Sequence, residues 1–114
     1  MSYNEKLADR TREIIALTHE NVEEKKMFGG LCFMVNDKML GGVVQDRLMI
    51  RHDPARAEEL LKHEGCKPMD FTGKPMKGFV FVDAAALQTD KQLEYWIDIA
   101  LEYNKVSKSI KVTK

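Results

Sequence analysis

The chain has 114 residues, of which 44% are hydrophobic and 32% are charged, and this composition excludes the fibrous and disordered classes of protein. At this length the chain forms one domain that can bury roughly two-thirds of the surface exposed when it is unfolded. Lysine and arginine number 18 together, as do aspartate and glutamate, so the net charge is zero and gives no general attraction to nucleic acid or to an anionic membrane.

The N-terminal half predicts a helix followed by four strands. Apolar side chains recur every three or four residues over residues 3–18, with charges on the other side, which is typical of a helix. From Val22 the period shortens, and turn signals at Gly29-Gly30 and at residues 36–38 and 45–47 separate short strand-like runs. Connections this short join only antiparallel neighbours, so the runs predict a four-stranded meander.

The C-terminal half predicts a helix, a strand and a last helix. Asp53 followed by proline is typical of a helix start, and Gly65 is suited to its end. The apolar run at residues 79–83 predicts a buried strand. Thr89 stands three residues before a glutamine, which is the spacing of a capping box at the start of the last helix. The apolar stripe of that helix consists of Leu93, Trp96, Ile97, Ala100 and Leu101.

These elements predict a two-layer α+β fold. An antiparallel sheet of about five strands carries three helices, mainly on one face, in the order α-β-β-β-β-α-β-α. Leu31, Phe33 and Val35 point to one side of their strand and Cys32 and Met34 to the other, so both sheet faces are apolar. We expect either the first helix or a partner subunit to cover the second face.

The stretch 67–79, KPMDFTGKPMKGF, contains Lys-Pro-Met twice, with turn-forming residues between the copies. Aspartate first and glycine last in residues 70–73 predict a type I turn, and the prolines favour extended residues before them. The favoured interpretation is a folded-back loop whose apolar side chains cap the edge of the core. The alternative is a binding surface of methionines and an aromatic ring rimmed by lysines. This candidate interaction surface consists of Lys67, Met69, Phe71, Lys74, Met76 and Lys77.

Other polar motifs do not assemble a recognisable chemical site. The glycine pairs at residues 29–30 and 41–42 lie between or within strands, whereas a nucleotide site needs a glycine-rich turn from a strand into a helix. The second pair instead predicts a bulge or a place where a helix packs closely. His63 and Cys66 have a loosely ligand-like spacing, but a structural zinc site needs four ligands. We therefore predict no catalytic, cofactor or metal residues, and the alternative is a small enzyme that gathers Arg51, His52 and Asp70.

The cysteines and the distribution of charge predict the cell compartment of the protein and the exposure of two charged segments. Cys32 lies in an apolar run far from Cys66, which predicts free thiols and no disulfide. The charged N-terminus and the lack of an apolar run of about 20 residues predict a cytoplasmic protein without a membrane span. The charges at residues 23–26 predict an edge strand. Lys105, Lys108, Lys111 and Lys114 form a basic tail, which is expected to be frayed and solvated, with docking on nucleic acid or an acidic protein surface as the weaker alternative.

Three segments carry a family resemblance: KKMFGGLCFMVNDKMLGGV, DRLMIRHDP and KPMDFTGKPMKGFVFVD. In this order and spacing they resemble the N-terminal domain of the TfoX/Sxy family of bacterial proteins, from about Leu7 to about Tyr103, most specifically at residues 27–30 and 76–78. The resemblance implies a compact α+β domain over residues 1–106, followed by the basic tail 107–114, in a stand-alone, single-domain member.

The family resemblance also implies a class of function. Full-length members are associated with regulating natural competence and transcription, commonly with an additional C-terminal domain, and the family supplies no agreed catalytic or cofactor residues. We expect a non-catalytic cytoplasmic module that contacts another protein or itself, with direct nucleic-acid binding as an alternative. An accessory subunit of a nucleic-acid-modifying system belongs with the enzyme alternative.

Overall fold

The computed structural model describes residues 3–27, 29–70 and 75–107, and this part of the chain forms three helices and a six-stranded sheet. A 3-10 turn precedes the second helix and another precedes the third. The elements are α1 (Glu5–Ala16), β1 (Val22–Met27), β2 (Gly30–Val35), β3 (Lys38–Val44), β4 (Arg47–Arg51), α2 (Ala57–Leu61), β5 (Cys66–Asp70), β6 (Pro75–Asp83) and α3 (Asp90–Val106).

The sheet has the strand order β1-β2-β3-β4-β6-β5, and every neighbouring pair is antiparallel. This confirms the predicted α+β class and the meander of the first four strands. The charged strand β1 lies at one edge of the sheet, as its charges predicted.

The sheet contains a sixth strand where the sequence predicted a loop. β5 pairs with β6 from Cys66 opposite Val82 to Asp70 opposite Pro75, so much of the stretch 67–79 is a hairpin rather than an irregular loop. Proline keeps the residue before it extended, which suits a strand. Pro68 lacks a backbone N–H, but β5 is the outermost strand, where a missing outward N–H costs no ladder hydrogen bond.

The helix ends largely follow the sequence signals. In α3, the Thr89 side chain accepts a hydrogen bond from the backbone N–H of Gln92, and the Gln92 side chain accepts one from the backbone N–H of Thr89, which confirms the capping box. Asp53 caps the turn before α2 by accepting a hydrogen bond from the N–H of Ala55 at 3.0 Å. α2 is shorter than predicted, because it ends at residue 61; Gly65, at φ +80°, instead turns the chain into β5.

All three helices pack on one face of the sheet. The main core joins side chains of α1, α2 and α3 to alternate residues of β2, β4 and β6. Trp96 is only 4% exposed in this core, and the whole predicted stripe of α3 is buried. No helix in the described ranges is long and apolar enough to cross a membrane.

The second face of the sheet is also buried, and none of the three helices in the described residues belongs to its core. Its core consists of Cys32, Met39, Val44, Met49, Phe79 and Phe81, with Met27 and Met34 packed against it. Long methionine and phenylalanine side chains of neighbouring strands pack on one another, and the Arg47 guanidinium lies 3.9 Å from the centroid of the Phe81 ring. Cys32 and Met49 are 0% exposed in the single chain. The helix α1 packs in the core of the other face, so the expectation that it covers this face was wrong. Coverage by a partner subunit stays a prediction.

The glycine pairs allow strands to approach closely. The register of β2 and β3 shifts between Phe33 and Met34, which confirms the bulge predicted near residues 41–42. A Cβ at Gly30 would lie 2.1 Å from the carbonyl oxygen of Val43. The sequence predicted that both Gly29 and Gly30 lie in the turn, but Gly30 is the first residue of β2. Only Gly29 of that pair has a positive φ, +75°.

Candidate functional site

An open groove of about 690 Å³ lies at one end of the sheet. Its walls are the connection between α2 and β5, the start of β5, the end of β6 and the first turns of α3. The backbone N–H of Asp83 donates a hydrogen bond to the carbonyl of Gly65 at 2.9 Å, which ties two of these walls together. The polar side chains that line it are His63, Glu64, Lys67, Asp83, Lys91, Gln92 and Tyr95.

Three aromatic rings form one side of this groove. The ring centroids of His63 and Tyr95 are 5.1 Å apart, and the Trp96 centroid lies 5.2 Å from His63 and 5.3 Å from Tyr95. The Tyr95 hydroxyl lies 3.0 Å from Nε2 of His63, which is a hydrogen bond. Trp96 is buried, whereas Tyr95 is 40% exposed. The cluster therefore offers a fixed aromatic surface to solvent.

Local sequence explains how these rings meet. Trp96 belongs to the buried stripe of α3, and its neighbour Tyr95 is turned about 100° away around the helix, which places it at the border between core and solvent. His63 follows the end of α2, where its backbone N–H donates to the carbonyl of Leu60 at 3.1 Å. The groove joins residues about 30 positions apart, so a local motif could not predict it. The one sequence signal was the exposed position of Tyr95 beside the predicted core tryptophan.

Charges of both signs surround the rings. Lys67 of β5 and Asp83 of β6 form a loose ion pair at 4.0 Å across the hairpin. Lys91 of α3 and Glu64 of the α2–β5 connection have no ion-pair partner within the described residues. The groove thus holds one lysine and one glutamate that are available to a bound molecule.

The predicted interaction surface overlaps the groove at one residue. Lys67 lines it and is exposed. Met69 lies in β5, and Met76 and Lys77 lie in β6, but the structure does not describe their side chains. Phe71 and Lys74, with most of the predicted turn at residues 70–73, lie outside the described residues. The predicted surface as a whole stays a prediction.

Of the alternative acid-base set, Arg51, His52 and Asp70, the structure describes the side chains of the first two. His52 is 1% exposed, and its Nδ1 lies 2.7 Å from the carbonyl oxygen of Asp53, so the ring is a core histidine with a backbone partner. The Arg51 guanidinium lies 5.4 Å from the centroid of the Tyr103 ring. The side chain of Asp70 is not described.

Both cysteines are free and buried. Burial raises the pKa of the Cys32 thiol, and likewise that of Cys66, from 9.0 to about 11, because an apolar environment disfavours the thiolate. A thiol with a raised pKa is a poor nucleophile at neutral pH. Over the described part of the chain, no group of three or more histidine, cysteine, aspartate or glutamate side chains is placed to hold a metal ion, and His63 and Cys66 form no such group.

Comparison with known families gives one match. Residues 13–103, most of the chain, match the TfoX N-terminal domain. The chain belongs to this family. Neither the curated proteins nor the solved structures contain a match to it. The TfoX N-terminal match includes β1 to β6 and most of α3, so every wall of the groove is part of the family domain.

Proposed function

We propose that this TfoX N-terminal domain is a non-catalytic interaction module, and that its groove binds an exposed segment of a partner protein. The observation that carries the proposal is the fixed ring of Tyr95, 40% exposed and held by His63 and Trp96 within an open groove. Aromatic side chains held in place in this way are frequent centres of binding energy in protein interfaces, because little conformational freedom is lost when they are covered.

The two edges of the sheet and its second face are less suited to docking than the groove. The edge strand β1 carries the successive charges of residues 23–26, which disfavour strand pairing with another chain. The opposite edge, β5, contains Pro68, which cannot donate a backbone hydrogen bond. The apolar side chains of the second face are already buried in the single chain. A partner is therefore recognised by side chains in the groove rather than by an added strand or a flat apolar face.

A cytoplasmic and regulatory role completes the proposal. Two free buried thiols are typical of a reducing compartment. The role in competence or transcription comes from the family resemblance, and binding of a partner protein is how a domain without a chemical site would exert such a role. A small enzyme gains no support from the positions of Arg51 and His52.

Partner recovery with groove variants tests the proposed docking. We expect Tyr95→Ala and Lys91→Glu to lower the amount of one specific partner recovered from a bacterial lysate at least about tenfold, the loss typical of an interface hot spot. Quantitative mass spectrometry of the co-purified proteins gives the recovery, and titration of the purified partner then gives Kd. Leu17→Ala is the matched control, because Leu17 is 77% exposed and is not in the groove lining.

Two controls define which results would contradict the proposed docking. Circular dichroism and thermal melting must show that each variant keeps the fold. A partner that is lost with Leu17→Ala and kept with Tyr95→Ala would place the docking surface outside the groove. Equal recovery with all variants, or no specific partner at all, would contradict the proposed module.

We further propose that the predicted interaction surface at residues 67–77 extends the groove. Lys67 belongs to both, so a partner in the groove would also meet this stretch. We expect Phe71→Ala to weaken the same partner while leaving the melting temperature within a few degrees of wild type. Unfolding of Phe71→Ala would instead support the interpretation that the stretch caps the core.

A further inference from the structure

The aromatic cluster is already formed in the single chain. Tyr95 is fixed through its hydroxyl by His63, at 3.0 Å, and both rings are backed by the buried Trp96. Two rings pack best edge-to-face or offset, with centroids about 4.5–7 Å apart. The exposed side of Tyr95 is therefore suited to one more ring, supplied by a bound molecule.

The two available charges come from different walls of the groove: Lys91 belongs to α3, and Glu64 belongs to the connection between α2 and β5. Lys91 precedes Tyr95 by four residues in α3, so both side chains lie on the same face of the helix. Glu64 directly follows His63 in the α2–β5 connection. Asp90, the acid next to Lys91 in the chain, already pairs with Arg10 at 3.5 Å. Lys91 thus favours an acidic group near Tyr95, and Glu64 favours a basic group near His63.

We propose, on the basis of the docking function above, that the groove selects a peptide segment in which an aromatic residue stands between an acidic and a basic residue. The aromatic ring packs on Tyr95, the acidic side chain pairs with Lys91, and the basic side chain pairs with Glu64. The opposite charges also fix the direction in which the segment lies, because reversing it would place like charges together.

Selection from a random peptide library tests this inference without a known partner. A phage-displayed library of 12-residue peptides is first depleted on Tyr95→Ala and then selected on the full wild-type chain. We expect the enriched peptides to contain phenylalanine, tyrosine or tryptophan, with an acidic residue on one side and a basic residue on the other. Trp96 is the single tryptophan of the chain and lies in the groove, so its fluorescence reports binding of a phenylalanine-containing peptide.

Charge reversal identifies the contacts. Lys91→Glu should weaken the selected peptide about tenfold or more, and changing the acidic residue of the peptide to lysine should restore most of the affinity. A merely structural role of Lys91 would not give this rescue. Lys25→Glu, an exposed reversal on β1, is the matched control and should leave Kd unchanged.

The possible results separate the inference from the docking function. Peptides that require Tyr95 but lack an aromatic residue, or that show no rescue by charge reversal, would overturn the inference and leave the docking function standing. Failure to select any peptide that depends on Tyr95 would contradict both. If Tyr95→Ala does not fold, depletion on Lys91→Glu replaces it, because Lys91 is exposed in the first turn of α3.

Discussion

Gly42 illustrates how strongly a single residue can be constrained by its neighbours. A Cβ at this position would lie 2.3 Å from the carbonyl oxygen of Leu31 and 2.8 Å from the Cα of Cys32, both backbone atoms of the paired strand. An alanine there would push β2 and β3 apart. The glycine pair therefore has a packing role, and this role depends on a contact that the sequence does not reveal.

We expect Gly42→Ala to lower the free energy of unfolding by about 3 kcal/mol, at the upper end of what overpacking costs. Urea unfolding followed by circular dichroism measures the change. Gly29→Ala is the control: its Cβ would meet nothing within 4 Å, but its φ is +75°, so only a strained backbone, worth about 1 kcal/mol, is expected. Equal losses in the two variants would contradict the close-approach explanation.

The buried thiols make the free energy of unfolding fall as the pH rises above 9. The pKa of Cys32 is about 11 in the folded chain, above its ordinary value of 9.0. Above pH 9 the unfolded chain loses this proton while the folded chain retains it, so the unfolded state binds fewer protons and is favoured. The stabilisation is complete below pH 9 and is lost as pH rises towards 11.

We expect Cys32→Ala to make the free energy of unfolding less dependent on pH between pH 9 and 11. One such thiol contributes a slope of at most about 1.4 kcal/mol per pH unit. Urea unfolding at several pH values gives the slopes of wild type and variant, and the comparison of slopes removes the constant cost of the small cavity. Identical slopes would show that Cys32 is not protected from ionisation.

At the scale of elements, the two ends of α3 are fixed in different ways. The N-terminus has the local capping box of Thr89 and Gln92, which the sequence predicted. At the C-terminus, Lys38 of β3 donates through Nζ to the carbonyl oxygen of Asn104 at 2.6 Å and of Ser107 at 3.1 Å. The side chain of Asn104 donates to the carbonyl of Val35 at 3.1 Å. Residues about 70 positions apart thus hold the helix end, and no local pattern predicts them.

Replacing Lys38 with methionine should lower the free energy of unfolding by about 1–2 kcal/mol, because the carbonyls of Asn104 and of the C-cap residue Ser107 lose a cationic donor. Thermal and urea unfolding measure the loss. Lys105→Met is the matched control, since Lys105 lies in the last turn of α3 and is exposed. It should change the stability by less than about 0.5 kcal/mol. A similar loss in both variants would show that Lys38 stabilises the fold only through its positive charge and not through its two hydrogen bonds.

The hairpin of β5 and β6 shows where local reasoning stops. Prolines and turn residues in the stretch 67–79 indicated extended residues around a turn, which is correct for Pro68 within β5. They could not indicate that the residues pair with β6, because pairing depends on the place of the strand in the sheet. At an edge the missing N–H of proline is tolerated, and within the sheet it would not be.

At the scale of the whole molecule, one sheet separates two cores of different composition. The helix-covered core was predictable, because amphipathic helices must bury their stripes against a flat surface. The second core depends on methionine and phenylalanine side chains from different strands meeting across the sheet. Alternation showed that this face is apolar, but it could not show that its side chains are buried in the single chain.

The sequence by itself determined the type of most elements, their antiparallel order, the cap of the turn before α2, the capping box of α3, and the family. Each of these depends on residues close together in the chain: periodicity, capping spacing, or turns too short for a crossover. Only the tertiary structure decided that β5 joins the sheet, that the second face is buried, and that His63, Tyr95 and Trp96 meet beside Lys91 and Glu64. These features depend on contacts between distant segments, whose positions are fixed by the packing of the whole chain.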